Sequence, residues 1–166
     1  MAADPSADPT ARAVALGHEL RRLHVRLRAL LDDARAGLDP AVLAHGLLAD
    51  PVSHCRAFCT ALAEHHEGED SALFPWLVGL RPELSEVVSR LEEDHRLVGT
   101  LLEAVAEELD GRADPTRLVR HLDGLDAIMV NHFRYEEREL VPVLEDLAAA
   151  GLLEQHTPPA DREVTS

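Results

Sequence analysis

The sequence predicts an all-α protein, an up-down-up-down four-helix bundle built on an internal two-helix repeat. Three observations carry this expectation. Apolar residues recur at three- and four-residue spacing through most of the chain, the period of a helix with one buried face. Aromatic residues are only 3% of the composition, where a sheet-rich fold would be enriched in them. Aspartate–proline pairs and glycines cut the pattern into four long stretches with short connections, the economy of a bundle. The 166 residues suit one domain, read as a flexible tail at 1–10, the bundle at 11–152 and a second flexible tail at 153–166.

The elements follow in order. Leu16, Leu20, Leu23, Leu27, Leu30 and Leu31 mark one face of a helix from about Ala11 to Ala36, with Gly37 as its stop. Asp39–Pro40 caps a short helical turn through Leu48. Asp50–Pro51 caps a longer helix running to about Leu73, which Pro75 kinks or ends. After Arg81–Pro82, the series Leu84, Val88, Leu91, Val98, Leu102 and Val105 traces a third long helix, ending near Asp110–Gly111. Asp114–Pro115 opens the fourth, expected to reach about Ala150 with Pro142 near its end and Gly151 closing it.

Composition narrows the function. Hydrophobic residues at 46% and charged residues at 28% describe a chain able to bury a core. The 31 acidic residues face 16 basic ones, all of them Arg, for a net charge of −15. That field repels phosphate backbones and anionic headgroups, so neither nucleic acid nor membrane is an expected partner. Without any Lys, Schiff-base chemistry and a P-loop lysine are excluded. The first ten residues carry Asp4 and Asp8 and no apolar core, unlike a signal peptide, and no run is long enough to span a bilayer. Cys55 and Cys59, four apart on a helical pattern, are too few for a disulfide scaffold and read as reduced thiols in a cytoplasm.

Ten histidines against two cysteines is the unusual ratio. Aligned on His65 and His132, two segments repeat: each reads His-x-x-x-Glu, with Leu eight and Pro ten residues after the His. The repeat extends to the preceding helices, where His24 matches His95 and the pairs Leu30–Leu31 and Leu101–Leu102 follow at equal distance. Each half therefore offers one His, then His-x-x-x-Glu. Residues four apart share a helix face, about 5–6 Å from each other, so His65 and Glu69, or His132 and Glu136, can reach one centre. His24 and His95 lie among leucines and valines on the inward face of their helices.

Four imidazoles and two carboxylates in an apolar core would be costly without a cation. Neutral imidazole and ionised carboxylate are what a first-row transition metal accepts. Six protein ligands exceed one tetrahedral zinc site and suit two metals bridged by the carboxylates, with oxo, hydroxo or water completing the coordination and space left for a small ligand. The schematic division is His24, His65 and Glu69 on one metal, His95, His132 and Glu136 on the other.

The arrangement His24, His65-x-x-x-Glu69, His95, His132-x-x-x-Glu136 resembles hemerythrin-like (HHE cation-binding) domains over about Ala13 to Leu147. The His-His-x-Gly-Glu-Asp…Leu-Phe-Pro stretch at 65–75 looks like the actinobacterial branch. The resemblance implies two oxo- or hydroxo-bridged iron ions, with zinc or another divalent metal as the alternative. It implies a protein that binds or reduces dioxygen, peroxide or nitric oxide, in stress response or sensing. Iron storage or delivery, iron-centre repair and a metal-stabilised structural bundle are the other readings. Oxygen-carrying hemerythrins have a second His four residues after the one on the third helix, where this chain has Gly99. That departure points away from reversible oxygen carriage. Repair proteins often carry an additional N-terminal cysteine-motif domain, which this sequence does not contain.

Several residues have two readings. His66 and Asp70 also stand four apart, but the repeat favours the frame of His65 and Glu69. His45, on the connecting turn, is either a further ligand or an exposed residue. Tyr135, one turn after His132, either serves the site as ligand or hydrogen-bond donor or simply packs in the core. His54 and His121 precede the repeat histidines by eleven residues, about 16 Å along a helix, and read as hydrogen-bonded core or interface residues. His18 and His156 read as surface residues. Phe58, Phe74 and Trp76 are expected to wall the core against water.

Overall fold

A computed structural model describes residues 9–45, 51–111 and 114–150. Among these residues the chain is all-helical, without a strand. The elements are α1 (Pro9–Gly37), α2 (Pro40–His45), α3 (Pro51–Gly68), a π-helical turn (Glu69–Leu73), α4 (Phe74–Leu80), a 3-10 turn (Pro82–Leu84), α5 (Ser85–Asp110) and α6 (Pro115–Ala149). No helix of the described residues is long and apolar enough to cross a membrane.

The capping chemistry is that of the sequence. Asp39 Oδ1 accepts the Ala41 N–H at 2.7 Å, and Asp114 Oδ1 accepts the Thr116 N–H at 2.9 Å. Each satisfies a first-turn donor that has no partner inside the helix. α1 begins at Pro9, two residues ahead of the expected start, while residues 46–50 and the tail at 153–166 lie outside the described residues.

The two inner prolines are accommodated differently, and Pro142 lies within its helix as expected. Pro75 does not end the helical run: the ladder widens by one residue before it, and the Phe74 N–H donates to Glu69 O. Pro75 then falls in the first turn of α4, where its missing N–H leaves no bond unmade. Pro142 lies well inside α6, which continues to Ala149. Leu140, Val141, Leu144 and Leu147 around it are at most 1% exposed. Burying four such side chains, at about 1.5–3 kcal/mol each, exceeds the roughly 3 kcal/mol penalty of an interior proline.

The chain divides into two compact units, His24–Tyr135 and the pair of segments Met1–Leu23 with Glu136–Ser166. In the larger unit three helix pairings can be read from their contacts. Arg35, late in α1, bridges Asp123 and Asp126, early in α6, at 2.6 and 2.9 Å, while His24 stacks on Phe133; the two helices run antiparallel. Arg56, early in α3, bonds Asp110 at the end of α5 at 2.7 Å, and Asp70 just beyond α3 reaches back to His95, so α3 and α5 are antiparallel. α5 and α6 pair likewise, through Glu108 with Arg117 and Asp94 with His132. The arginine side chains among these are solvent-exposed, and their pairs fix register more than they stabilise. The stabilisation comes from side chains such as Leu27, Phe58, Leu62, Leu91, Val98, Leu122, Leu125 and Phe133, all completely buried.

In the smaller unit Gly17 lets the backbone of α1 approach α6 closely. A Cβ there would stand 3.0 Å from Val141 Cγ1. One turn on, Arg21 faces Glu137 at 4.0 Å.

Candidate metal centre

The larger unit brings the imidazoles of His24, His65, His66, His95 and His132 together with the Glu69 carboxylate, all buried. Their placement follows from adjacency on α3. Consecutive helical residues are about 100° apart, so His65 and His66 face different neighbours. His65 meets His24 of α1 edge-on, with ring centroids 5.2 Å apart. His66 stacks on His95 of α5 at 3.8 Å and 12°.

Two sets of donors result. The ligating atoms of His24, His65 and Glu69 lie within 4.8 Å of one another, and so do those of His66, His95 and His132. Glu69 stands between the sets: Oε1 is 3.4 Å from His65 Nε2, and Oε2 is 3.5 Å from His95 Nε2. The π-helical turn begins at this residue, and single π turns are frequent at functional sites.

Outer carboxylates orient two of the rings. His95 Nδ1 lies 2.7 Å from Asp70 Oδ1, and His132 Nδ1 lies 3.2 Å from Asp94 Oδ2. In each pair the imidazole donates and the carboxylate accepts, which settles the proton on Nδ1 and turns the Nε2 lone pair inward. The two Nε2 atoms face each other at 3.1 Å. Burial, then the imidazoles of His95, His132, His65 and His24, holds His66 well below the usual histidine range, so it is neutral. Its Nε2 is buried without a hydrogen-bond partner. A divalent cation fits this donor set: it supplies the positive charge that converging lone pairs and a buried carboxylate require.

The surroundings are apolar. Phe133 stacks on His24 at 3.9 Å, and Phe74 lies 5.5 Å from His95. Phe58 and Phe74 are completely buried as expected, Trp76 is only half-buried, and Phe133 joins them as a wall the sequence reading did not single out. Beside the second set a cavity of about 200 Å³ opens between His66, Asp70, His95, Arg96 and Gly99.

Other candidates are placed as follows. Glu136 is completely buried on α6, one helical turn after His132, in the smaller unit. Tyr135 is half-buried. His45 ends α2, and its side chain lies outside the described residues, as does His156. His18 and His54 are exposed and His121 is half-buried. His66, Asp70 and Asp94 are the residues of the centre that sequence reasoning passed over as site components. Their signal was present in the sequence, since each is the immediate neighbour of a repeat residue. Cys55 and Cys59 are free thiols, and burial raises both above the ordinary value, Cys59 to about 12.

The hemerythrin HHE cation-binding domain family matches residues 16–144, well over half the chain. No curated protein and no solved structure matches.

Proposed function

This chain belongs to the hemerythrin HHE cation-binding family, and on that premise we propose that it is a non-haem di-iron protein that binds or reduces a small oxidant: dioxygen, peroxide or nitric oxide. One observation carries the reading. Glu69 presents one carboxylate oxygen to His65 and the other to His95, at 3.4 and 3.5 Å, as a residue shared by two metals would. His24, His65 and Glu69 would hold the first ion, and His95 and His132 the second. Glu136, four residues after His132 on α6, is the further carboxylate ligand in this reading. The antiparallel pairings of α1, α3, α5 and α6 support an up-down-up-down bundle as its frame.

Iron bound there supplies one electron per ion, enough as a pair for two-electron reduction of dioxygen or peroxide. The chain's own residues do the rest. Asp70 and Asp94 hold His95 and His132 in the Nδ1–H tautomer, which keeps their Nε2 atoms basic and aimed. Phe74 and Phe133 shield the rings from bulk water. The cavity beside His95 has room for a diatomic or triatomic ligand next to the donor set.

The test is to load apo-protein with ferrous iron without air, count the metal, and then add dioxygen, peroxide or nitric oxide separately. About two irons per chain, with ligand-to-iron charge-transfer absorption appearing on oxidation, is the expected result. Uptake of zinc alone, or iron that is spectroscopically silent to all three, would leave a structural bundle instead.

A further inference from the structure

Resting on the di-metal reading, we infer that His66 is itself a metal ligand, a third imidazole delivered from α3 to the ion held by His95 and His132. Three independent observations support this. The donor atoms of the three residues lie within 4.8 Å of one another, on three different helices. His66 is 5% exposed, and its Nε2 is buried without a hydrogen-bond partner. An imidazole nitrogen so placed is open to a metal, and as a lone-pair donor it would gain there the partner that the protein does not supply. Third, α5 provides no second nitrogen of its own. The position one turn after His95 is Gly99, and a Cβ built there would meet nothing within 4 Å.

The geometry explains why α3 can do this. His66 and Gly99 line the same cavity beside His95, so the side chain missing from α5 leaves the space that His66 enters from across the helix pair. Stacking on His95, with the rings 12° from parallel, fixes the plane of His66 and limits its freedom before any metal arrives. The two ions thereby become chemically unequal. The one at His66, His95 and His132 would have three imidazole nitrogens and the one at His24 and His65 two, with the Glu69 carboxylate shared between them. Such sets differ in affinity, and metals load in two distinguishable steps.

Calorimetric titration of the full-length apo-protein with cobalt(II) tests the inference, with circular dichroism confirming the helicity of each variant. Wild type should take up two ions. His66→Ala should keep one ion at wild-type affinity and bind the other at least about 100-fold more weakly, beyond the loss expected for removing an outer hydrogen bond to a ligand. His66→Leu, which refills the apolar volume, should behave the same way and so separates ligation from packing. Placing His at position 99 in the His66→Ala background should return the second ion, since that side chain has open space beside His95. Two ions at wild-type affinity in both His66 variants overturn the inference while leaving the di-metal reading intact. Equal weakening of both ions also overturns it, because that marks a packing role. Fewer than two ions in wild type would instead sink the di-metal reading itself.

Discussion

His95 and His132 point their Nε2 atoms at each other across 3.1 Å while Asp70 and Asp94 hold their Nδ1 atoms from behind. The four side chains form one line of contacts across the π-helical turn, α5 and α6, with the two Nε2 atoms at its centre. A cation bound at these nitrogens would favour the folded chain, where they converge, over the unfolded chain, where they do not.

Metal should raise thermal stability. At a free concentration about 100 times the dissociation constant, one site adds about 2.7 kcal/mol, or roughly 5–10 °C in Tm for a chain of this size. Thermal unfolding followed by circular dichroism, with chelator and with ferrous or cobaltous ion, reads this directly. Identical melting curves would show that the donors do not converge on a metal in the folded protein.

The outer carboxylates should matter without being ligands. Asp70→Ala removes the acceptor from His95 Nδ1 and should weaken metal binding by about 10–100-fold, leaving the final metal count unchanged at saturation. Asp70→Asn retains an oxygen that can still accept the Nδ1–H and should weaken it less. Equal effects of the two substitutions would mean that negative charge, rather than ring orientation, is what Asp70 contributes.

Much of this centre can be read from the sequence, and what cannot has a physical cause. His24, His65, Glu69, His95 and His132 stand out because the repeat and the four-residue spacing each mark them independently. His66 and Asp70 show the same four-residue spacing and are passed over because the repeat marks one helix face, while Asp94 has no spacing signal of its own. Whether the adjacent face is also inward depends on which helices flank α3 and α5, and that is tertiary information. The contacts of His65 with α1 and His66 with α5 supply it. The π-helical turn at Glu69–Leu73 escapes for a related reason. Pro75 announces a disturbance in the ladder, but whether the chain breaks, kinks or widens depends on the burial of Glu69, Phe74 and Leu77 around it.

The thiols should be inert at neutral pH. Burial, reinforced by the neighbouring Cys55, pushes Cys59 from an ordinary 9.0 to about 12, so at pH 8 the folded chain has about 1,000-fold less thiolate there than the unfolded chain. Iodoacetamide should label folded protein correspondingly more slowly; equal labelling rates in buffer and in denaturant would contradict the burial argument. The linkage has a definite sign. Because the folded value lies above the unfolded one, this group leaves stability unaffected below about pH 9. Stability then falls as pH rises from 9 toward 12, where only the unfolded chain gives up the proton.

Iron stoichiometry in wild type and in Glu69→Ala is the most direct test of the central claim that one carboxylate serves two metals. Anaerobic ferrous loading followed by removal of loose metal should leave about two irons per wild-type chain. In Glu69→Ala the two-iron stoichiometry should be lost, since the residue between His65 and His95 would no longer hold either ion. Two irons retained by the variant would contradict the account.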